Sequence, residues 1–143
     1  MPRIALFVYG SLLSPRIVRA VLGRAPRPLR ATLQGYRRVS LRAQAYPGLL
    51  PDSTATTRGA VLYVDARELR VLDRYEGEPY RRERVVVRLD DGRTRSAQTY
   101  VLGAGARRLR TERPWSLEVF LRRRRLRLPA SACGSQVAGA DLP

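Results

Sequence analysis

The stretch that decides the fold lies near the start of the chain and reads Ile4-Ala5-Leu6-Phe7-Val8-Tyr9-Gly10-Ser11-Leu12-Leu13-Ser14-Pro15. The part up to Tyr9 is apolar, β-branched or aromatic, which predicts a buried strand that stops at Gly10. Ser14 followed by Pro15 is typical of a helix N-cap with proline at the first helical position. Apolar residues at helical spacing then run to Gly23, where we expect the helix to end. The segment therefore predicts a strand, a turn and a short helix in succession.

The rest of the chain carries strand and hairpin patterns with few helices. Strands are predicted over residues 32–41, 59–64, 85–89 and 97–102, the last two joined by the turn Asp90-Asp91-Gly92. Asp65 is expected to cap a short helix ending near Tyr75, and Pro114-Trp115 to open a last one. Residues 46–52, rich in proline and glycine, are predicted to form a surface loop. This order predicts an α+β fold, a small mixed or antiparallel β-barrel flanked by short helices.

Length and composition predict a single domain over residues 1–128 followed by a flexible tail over 129–143, where small residues replace the periodic pattern. The single cysteine, Cys133, lies in that tail, so neither an internal disulfide nor a C-x-x-C metal site can form. The chain has no histidine, which excludes Ser-His-Asp and Cys-His catalysis and any imidazole metal site. We expect no metal and no cofactor.

The apolar run at the N-terminus is too short for a signal peptide or a membrane helix, which predicts a soluble, cytoplasmic protein without membrane contact. The formal net charge of +16 raises the possibility of a nucleic-acid partner. However, all 28 basic residues are arginine and are spread along the chain, and asparagine is absent as well, a bias typical of GC-rich coding. We therefore expect a solvated basic face and no nucleic-acid partner.

Two short segments could carry chemistry. The first is Tyr9-Gly10-Ser11-Leu12, where free backbone N–H groups between a strand and a helix could hold a carboxylate or phosphate. The second begins at Leu72 and reads Leu-Asp-Arg-Tyr-Glu-Gly, which puts Glu76 just past a short helix. A partly buried glutamate there could serve as a general acid and base, although taken alone the first segment is more often a plain turn and the second more often ends in an exposed capping glutamate.

Taken together, the two segments resemble the γ-glutamylcyclotransferase-like superfamily, and most closely its γ-glutamylamine cyclotransferase branch. That family pairs a Y-G-S/T-L loop near the N-terminus with an L-D-x-Y-E-G segment some sixty residues later. Tyr46-Pro47-Gly48 is similar to the family's Y-P-x segment, and residues 59–65 are similar to its G-x-x-Y-x-V strand. Tyr100 falls where the family has an aromatic residue. The resemblance spans roughly residues 4–102.

The resemblance implies a small β-barrel with one cavity at its mouth and a reaction that needs no water, metal or cofactor. In that reaction the α-amine of a small γ-glutamyl substrate attacks its own γ-carbonyl, forms 5-oxoproline and releases an amine. Glu76 matches the family's catalytic glutamate. The residues that match its substrate-binding positions are Tyr9, Gly10, Ser11, Leu12, Tyr80 and Arg82.

Alternatives remain at this point. Glu78 is the rival carboxylate, and Asp73 is expected to end the helix without entering the cavity. Arginines 74, 81 and 82 would lower the pKa of a nearby Glu76 and weaken it as an acid. Crowding by these arginines would favour a second hypothesis, a non-catalytic family member that binds a small carboxylate ligand in the same cavity.

Overall fold

The computed structural model describes residues 2–42 and 44–127. Its strands are β1 (Ile4–Val8), β2 (Leu29–Ser40), β3 (Pro47–Val64), β4 (Tyr80–Leu89) and β5 (Thr94–Leu102), and its helices are α1 (Pro15–Leu22), α2 (Ala66–Glu76) and α3 (Leu117–Arg127). Short 3-10 turns span Ser11–Leu13 and Ala104–Leu109. The predicted tail, residues 129–143, lies outside the described residues.

The five strands close into a barrel in the order β1-β3-β2-β4-β5. Strand β1 runs parallel to β5, and all other neighbours are antiparallel. The three helices pack outside this barrel. The predicted α+β fold with a small mixed barrel is therefore confirmed.

Strand β1 is buried on both faces, which explains why its sequence is apolar without alternation. Ala5 and Phe7 point into the barrel, while Leu6 and Val8 face the layer formed by the helices. The second layer contains Ile17 and Val18 of α1, Leu69 and Leu72 of α2, and Trp115 and Phe120 near α3. Because β1 belongs to both cores, the loop that follows it is fixed from two sides.

The boundaries of α1 and α2 follow the predicted caps, whereas α3 begins at Leu117 and not at the predicted Pro114-Trp115. The Ser14 hydroxyl accepts a hydrogen bond from the N–H of Ile17, with Pro15 at the first helical position and Gly23 in the left-handed region at the C-terminus of α1. Asp65 and Glu68 form a complete capping box at the start of α2. In the described part of the chain, no helix is long and apolar enough to cross a membrane.

The prediction of a surface loop over residues 46–52 is wrong. Strand β3 begins at Pro47 and pairs with β2 from Ser40↔Pro47 to Tyr36↔Pro51. Leu49 is fully buried and Leu50 nearly so, which requires a strand and not a solvent-facing loop. The prolines are tolerated because this half of β3 pairs with β2 alone, since β1 pairs only with the later half.

Candidate active site

Glu76 is the last residue of α2. Gly77 follows it with φ 82°, and its N–H donates to the carbonyl oxygen of Asp73 at 3.1 Å, which ends the helix. Because α2 packs on the same core layer as β1, this end of the helix lies against the loop that follows β1. The two segments singled out in the sequence therefore meet in space.

A pocket forms where they meet, and Glu76 lies in its wall together with Tyr9, Gly10, Ser11 and Leu12. Tyr100 of β5 closes one side of it, and Tyr46 with Pro47 closes another; Phe7 and Val8 complete the lining. Its enclosed volume is about 10 Å³, room for about one water molecule. The structure thus brings five of the residues predicted for the site into one narrow pocket.

The loop after β1 lines this pocket and contains main-chain N–H groups without a protein acceptor among the described residues. The N–H of Leu13 donates to the Gly10 carbonyl at 2.9 Å and that of Ser14 donates to the Ser11 carbonyl at 3.0 Å, which closes the 3-10 turn. Within the described residues, the N–H groups of Gly10, Ser11 and Leu12 donate to no protein acceptor, as expected for the first residues of a helical turn. These three groups can therefore bind an anionic group of a ligand.

Gly10 is required by close packing. A Cβ at this position would lie 2.9 Å from Cγ and 3.1 Å from Cδ of Pro47. Pro47 is the first residue of a buried strand and its ring cannot swing away as a long side chain would. The absence of a side chain at Gly10 thus allows the loop to lie directly against the start of β3.

Tyr75 holds the loop to α2, a contact that sequence reasoning missed. Its hydroxyl lies 2.7 Å from the hydroxyl of Ser11, which is buried. Its ring meets that of Tyr46 edge-on with centroids 6.1 Å apart. The sequence signal was present, because Tyr75 directly precedes Glu76, but a tyrosine at the end of an amphipathic helix is usually a packing residue.

Replacing Tyr75 by phenylalanine should lower the free energy of unfolding by about 1 kcal/mol, because the buried Ser11 hydroxyl loses its partner. Urea unfolding measures this change. Tyr36→Phe is the matched control, since the Tyr36 hydroxyl makes no hydrogen bond within the described residues. Equal stability of the two variants would show that the contact between Ser11 and Tyr75 does not stabilise the fold.

The carboxyl of Glu76 is enclosed by protein although the residue as a whole is only half-buried. Loss of solvent around the carboxyl, and secondarily the negative charge of Asp73, raises the pKa of Glu76 to about 8. The enclosed hydroxyls of Tyr9, Tyr75 and Tyr80 also have raised pKa values, caused chiefly by burial, and remain neutral donors. Near neutral pH the site can therefore give up or take a proton at Glu76.

The expectation that arginines lower the pKa of Glu76 is wrong for this structure. Arg82 pairs with Asp73, and Arg81 pairs with Glu83 at 2.8 Å. No arginine among the described residues forms an ion pair with Glu76. The pKa of the Glu76 carboxyl is therefore set by burial and by the charge of Asp73.

Tyr80 and Arg82 lie outside the narrow pocket, in an open cleft of about 390 Å³ lined by Asp73, Gly77, Tyr80, Arg81, Arg82 and Tyr100. Tyr100 lines both spaces. The Tyr80 hydroxyl donates to the carbonyl oxygen of Pro47 at 2.5 Å, so it joins the cleft to the pocket wall. Asp73 does not end the helix as expected, because α2 continues to Glu76; it does stay out of the narrow pocket and lines this open cleft.

The rival carboxylate, Glu78, is exposed and lines neither the pocket nor the cleft. Within residues 2–42 and 44–127, no three acidic, histidine or cysteine side chains cluster in a way that could hold a metal ion. The chemistry that the described residues offer at this site is proton transfer and hydrogen bonding.

Comparison with known proteins gives the family. A family model described as gamma-glutamyl cyclotransferase, AIG2-like, matches residues 6–117. AIG2-like protein D of Arabidopsis thaliana is 38% identical over 96 residues, which cover 66% of this chain and 63% of that protein. The chain thus spans less than two thirds of the length of that curated relative.

Solved structures agree with the family match. A solution structure of another Arabidopsis thaliana protein has a TM-score of 0.71 at 30% identity, covering 88% of this chain and 85% of that one. A structure named gamma-glutamyl cyclotransferase has a TM-score of 0.66 at 18% identity, covering 71% of this chain and 68% of that one, which shows the shared fold alone. The chain therefore belongs to the family described as gamma-glutamyl cyclotransferase, AIG2-like.

Proposed function

We propose that the protein cyclises the γ-glutamyl group of a small γ-glutamyl amide to 5-oxoproline, releases the amine, and uses Glu76 as general acid and base. One observation carries this proposal: an enclosed carboxyl with a pKa of about 8 shares a pocket with three unused main-chain N–H groups. A carboxyl that titrates near neutral pH can accept and return a proton in one turnover.

The reaction exchanges one amide bond for another. The α-amine of the glutamyl group attacks the γ-carbonyl carbon, a new C–N bond closes the five-membered ring, and the original amide C–N bond breaks. Glu76 takes the proton that the attacking amine loses and delivers a proton to the departing nitrogen. No oxidant, reductant or water is consumed, so a single proton carrier is sufficient.

Binding supplies the second part of catalysis. The N–H groups of Gly10, Ser11 and Leu12 would hold the α-carboxylate and so fold the substrate with its amine near its own carbonyl. The same fixed main-chain donors would stabilise the oxyanion that forms at the γ-carbonyl. Tyr9 serves as a wall, because its hydroxyl already donates to the Tyr100 carbonyl at 2.5 Å.

The open cleft would receive the departing half of the substrate, which gives Tyr80 and Arg82 their proposed place in substrate binding. The narrow pocket must widen to admit a γ-glutamyl group, since it holds about one water molecule. Displacement of Tyr46 would widen it, because Tyr46 lines the pocket; its ring lies against Phe120 of α3 with centroids 5.3 Å apart.

The direct test gives the purified protein a panel of γ-glutamyl amides that differ in the amine, namely an α-amino acid, the ε-amine of lysine, a polyamine and a neutral alkylamine. Release of 5-oxoproline is measured by mass spectrometry. We expect at least one amide to be cyclised without added metal. The absence of 5-oxoproline from every amide would refute the proposal and leave ligand binding as the function of the pocket.

Gly10→Ala should lower kcat/KM by roughly 10- to 100-fold, mainly through a higher KM, because a displacement of about 1 Å in a positioning group can cost this much. The added methyl must push Pro47 or the loop aside and so shift the N–H groups. Gly105→Ala is the control, since its added Cβ meets nothing within 4 Å. An unchanged KM in Gly10→Ala would show that this loop does not hold the substrate.

A further inference from the structure

A hydrogen-bonded cluster centred on Asp73 lies beside the proposed site. Its carboxylate accepts hydrogen bonds from Nε and Nη2 of Arg82 at 3.0 and 3.1 Å and from the Tyr100 hydroxyl at 2.6 Å. Arg82 in turn donates from Nη1 to the side-chain oxygen of Gln98 at 2.5 Å. Asp73 is thus fixed in one orientation by donors from two neighbouring strands, β4 and β5.

The cluster is coupled to Glu76 by two routes. Asp73 lies one helical turn before Glu76 on α2, and residues three apart lie on the same side of a helix. Tyr100 forms the second route, because its hydroxyl binds Asp73 while the residue lines the pocket of Glu76. A movement of Asp73 or a loss of its charge should therefore change the position of Tyr100 and the electrostatic environment of Glu76.

We infer that Asp73 is a positioning residue for the proposed cyclisation: it holds the Tyr100 side chain at the pocket wall and, with Arg82 as its counter-charge, sets the electrostatic field at Glu76. This inference rests on the proposed function. It gives Arg82 a role of limiting how much negative charge Glu76 experiences, besides any contact with substrate.

The surroundings of Glu76 support this division of roles. The titratable or charged groups around the site come from every element packed against it: Tyr9 just after β1, Arg38 of β2 through the Tyr9 carbonyl, Tyr46 before β3, Asp73 and Tyr75 of α2, Tyr80, Arg81 and Arg82 of β4, and Tyr100 of β5. Within this set Asp73 is the carboxylate. Its charge is the second cause, after desolvation, of the raised pKa of Glu76.

A charge of this kind has a catalytic consequence. A negative group beside Glu76 favours its protonated form and so keeps a proton available for the departing amine. Arg82 offsets part of the Asp73 charge through their ion pair, so loss of Arg82 would shift Glu76 further toward its protonated form. Asp73 and Arg82 together therefore set the balance between the protonated form of Glu76, which acts as the acid, and its ionised form, which acts as the base.

Two single variants should shift the protonation midpoint of Glu76 in opposite directions. Asp73→Asn keeps an acceptor for Tyr100, removes the negative charge and leaves Arg82 unpaired, so the midpoint should fall by at least about half a pH unit. Arg82→Gln leaves Asp73 uncompensated, so the midpoint should rise. The double variant should lie between the two. Carbon-13 NMR of the labelled Glu76 carboxyl in the free protein, assigned with Glu76→Gln, measures this without any substrate.

The pH dependence of kcat/KM should move with the NMR midpoint in each variant, while Arg84→Gln on the exposed face of β4 moves neither. Shifts in the same direction, or none, would overturn the inference and reduce Asp73 to a structural clamp. If Asp73→Asn does not fold, Arg82→Gln alone is the test: a rise in the protonation midpoint of Glu76 supports the inference, and no rise overturns it. Failure of the proposed function is separate, because it appears as absence of 5-oxoproline while the NMR result still stands.

Discussion

Replacing Glu76 by glutamine should lower kcat for release of 5-oxoproline by roughly 10³-fold, within the range that general acid–base catalysis contributes. Glutamine keeps the size and the hydrogen-bonding shape of the side chain but cannot carry the proton between the attacking and departing amines. KM should change little, because the α-carboxylate is held by the N–H groups of the loop after β1 and not by Glu76. Steady-state kinetics with the best amide of the panel measures both constants.

Glu78→Gln is the matched control for this experiment. It removes a neighbouring carboxylate that is exposed and lines neither pocket nor cleft, so kcat should stay near the wild-type value. Circular dichroism of both variants checks that the fold is intact. A Glu76→Gln enzyme that retained more than about a tenth of its turnover would remove Glu76 from the mechanism, since that loss is below the effect of general acid–base catalysis.

The parts of the fold that sequence reasoning predicted are those set by local chemistry. The strand from Ile4, the cap at Ser14-Pro15 and the capping residue Asp65 each depend on neighbours within a few positions. Residues 46–52 could not be assigned in this way, because their state depends on distant pairing. Leu49 is buried only after β2 has supplied a partner strand and the barrel has closed.

The candidate site shows the same division. Glu76 and the loop from Tyr9 to Leu12 were predicted through short motifs, and the structure brings them into one pocket. Which charges surround Glu76 could not be predicted, because the sequence does not show which acidic residue each arginine pairs with. Arg82 pairs with Asp73 of α2, while burial of the Glu76 carboxyl and, second, the charge of Asp73 raise its pKa, the opposite of the expected direction.

The same substitution, Glu76→Gln, should stabilise the folded protein in alkaline solution. The pKa of Glu76 is raised from 4.5 to about 8, so between these values the folded state binds more protons than the unfolded state. The free energy of unfolding of the wild type therefore falls as pH rises through this window, and the penalty is complete above pH 8. Below the unfolded pKa both states are protonated and the penalty is absent.

Glutamine has no such penalty at any pH, so the difference in unfolding free energy between the variant and the wild type should grow with pH. Each pKa unit corresponds to about 1.4 kcal/mol, and after allowance for the partial exposure of Glu76 we expect a gain on the order of 2 to 4 kcal/mol at about pH 9 and little at about pH 5. Urea unfolding at both pH values measures the difference, with Glu78→Gln as the variant whose difference should not grow. A gain that is equal at both pH values, or a loss at about pH 9, would mean that the carboxyl is ionised at little cost in the folded state. A carboxyl that ionises at little cost in the folded state would already be deprotonated at neutral pH and would have no proton to give. The same result would therefore weaken the case for Glu76 as the acid that releases the amine.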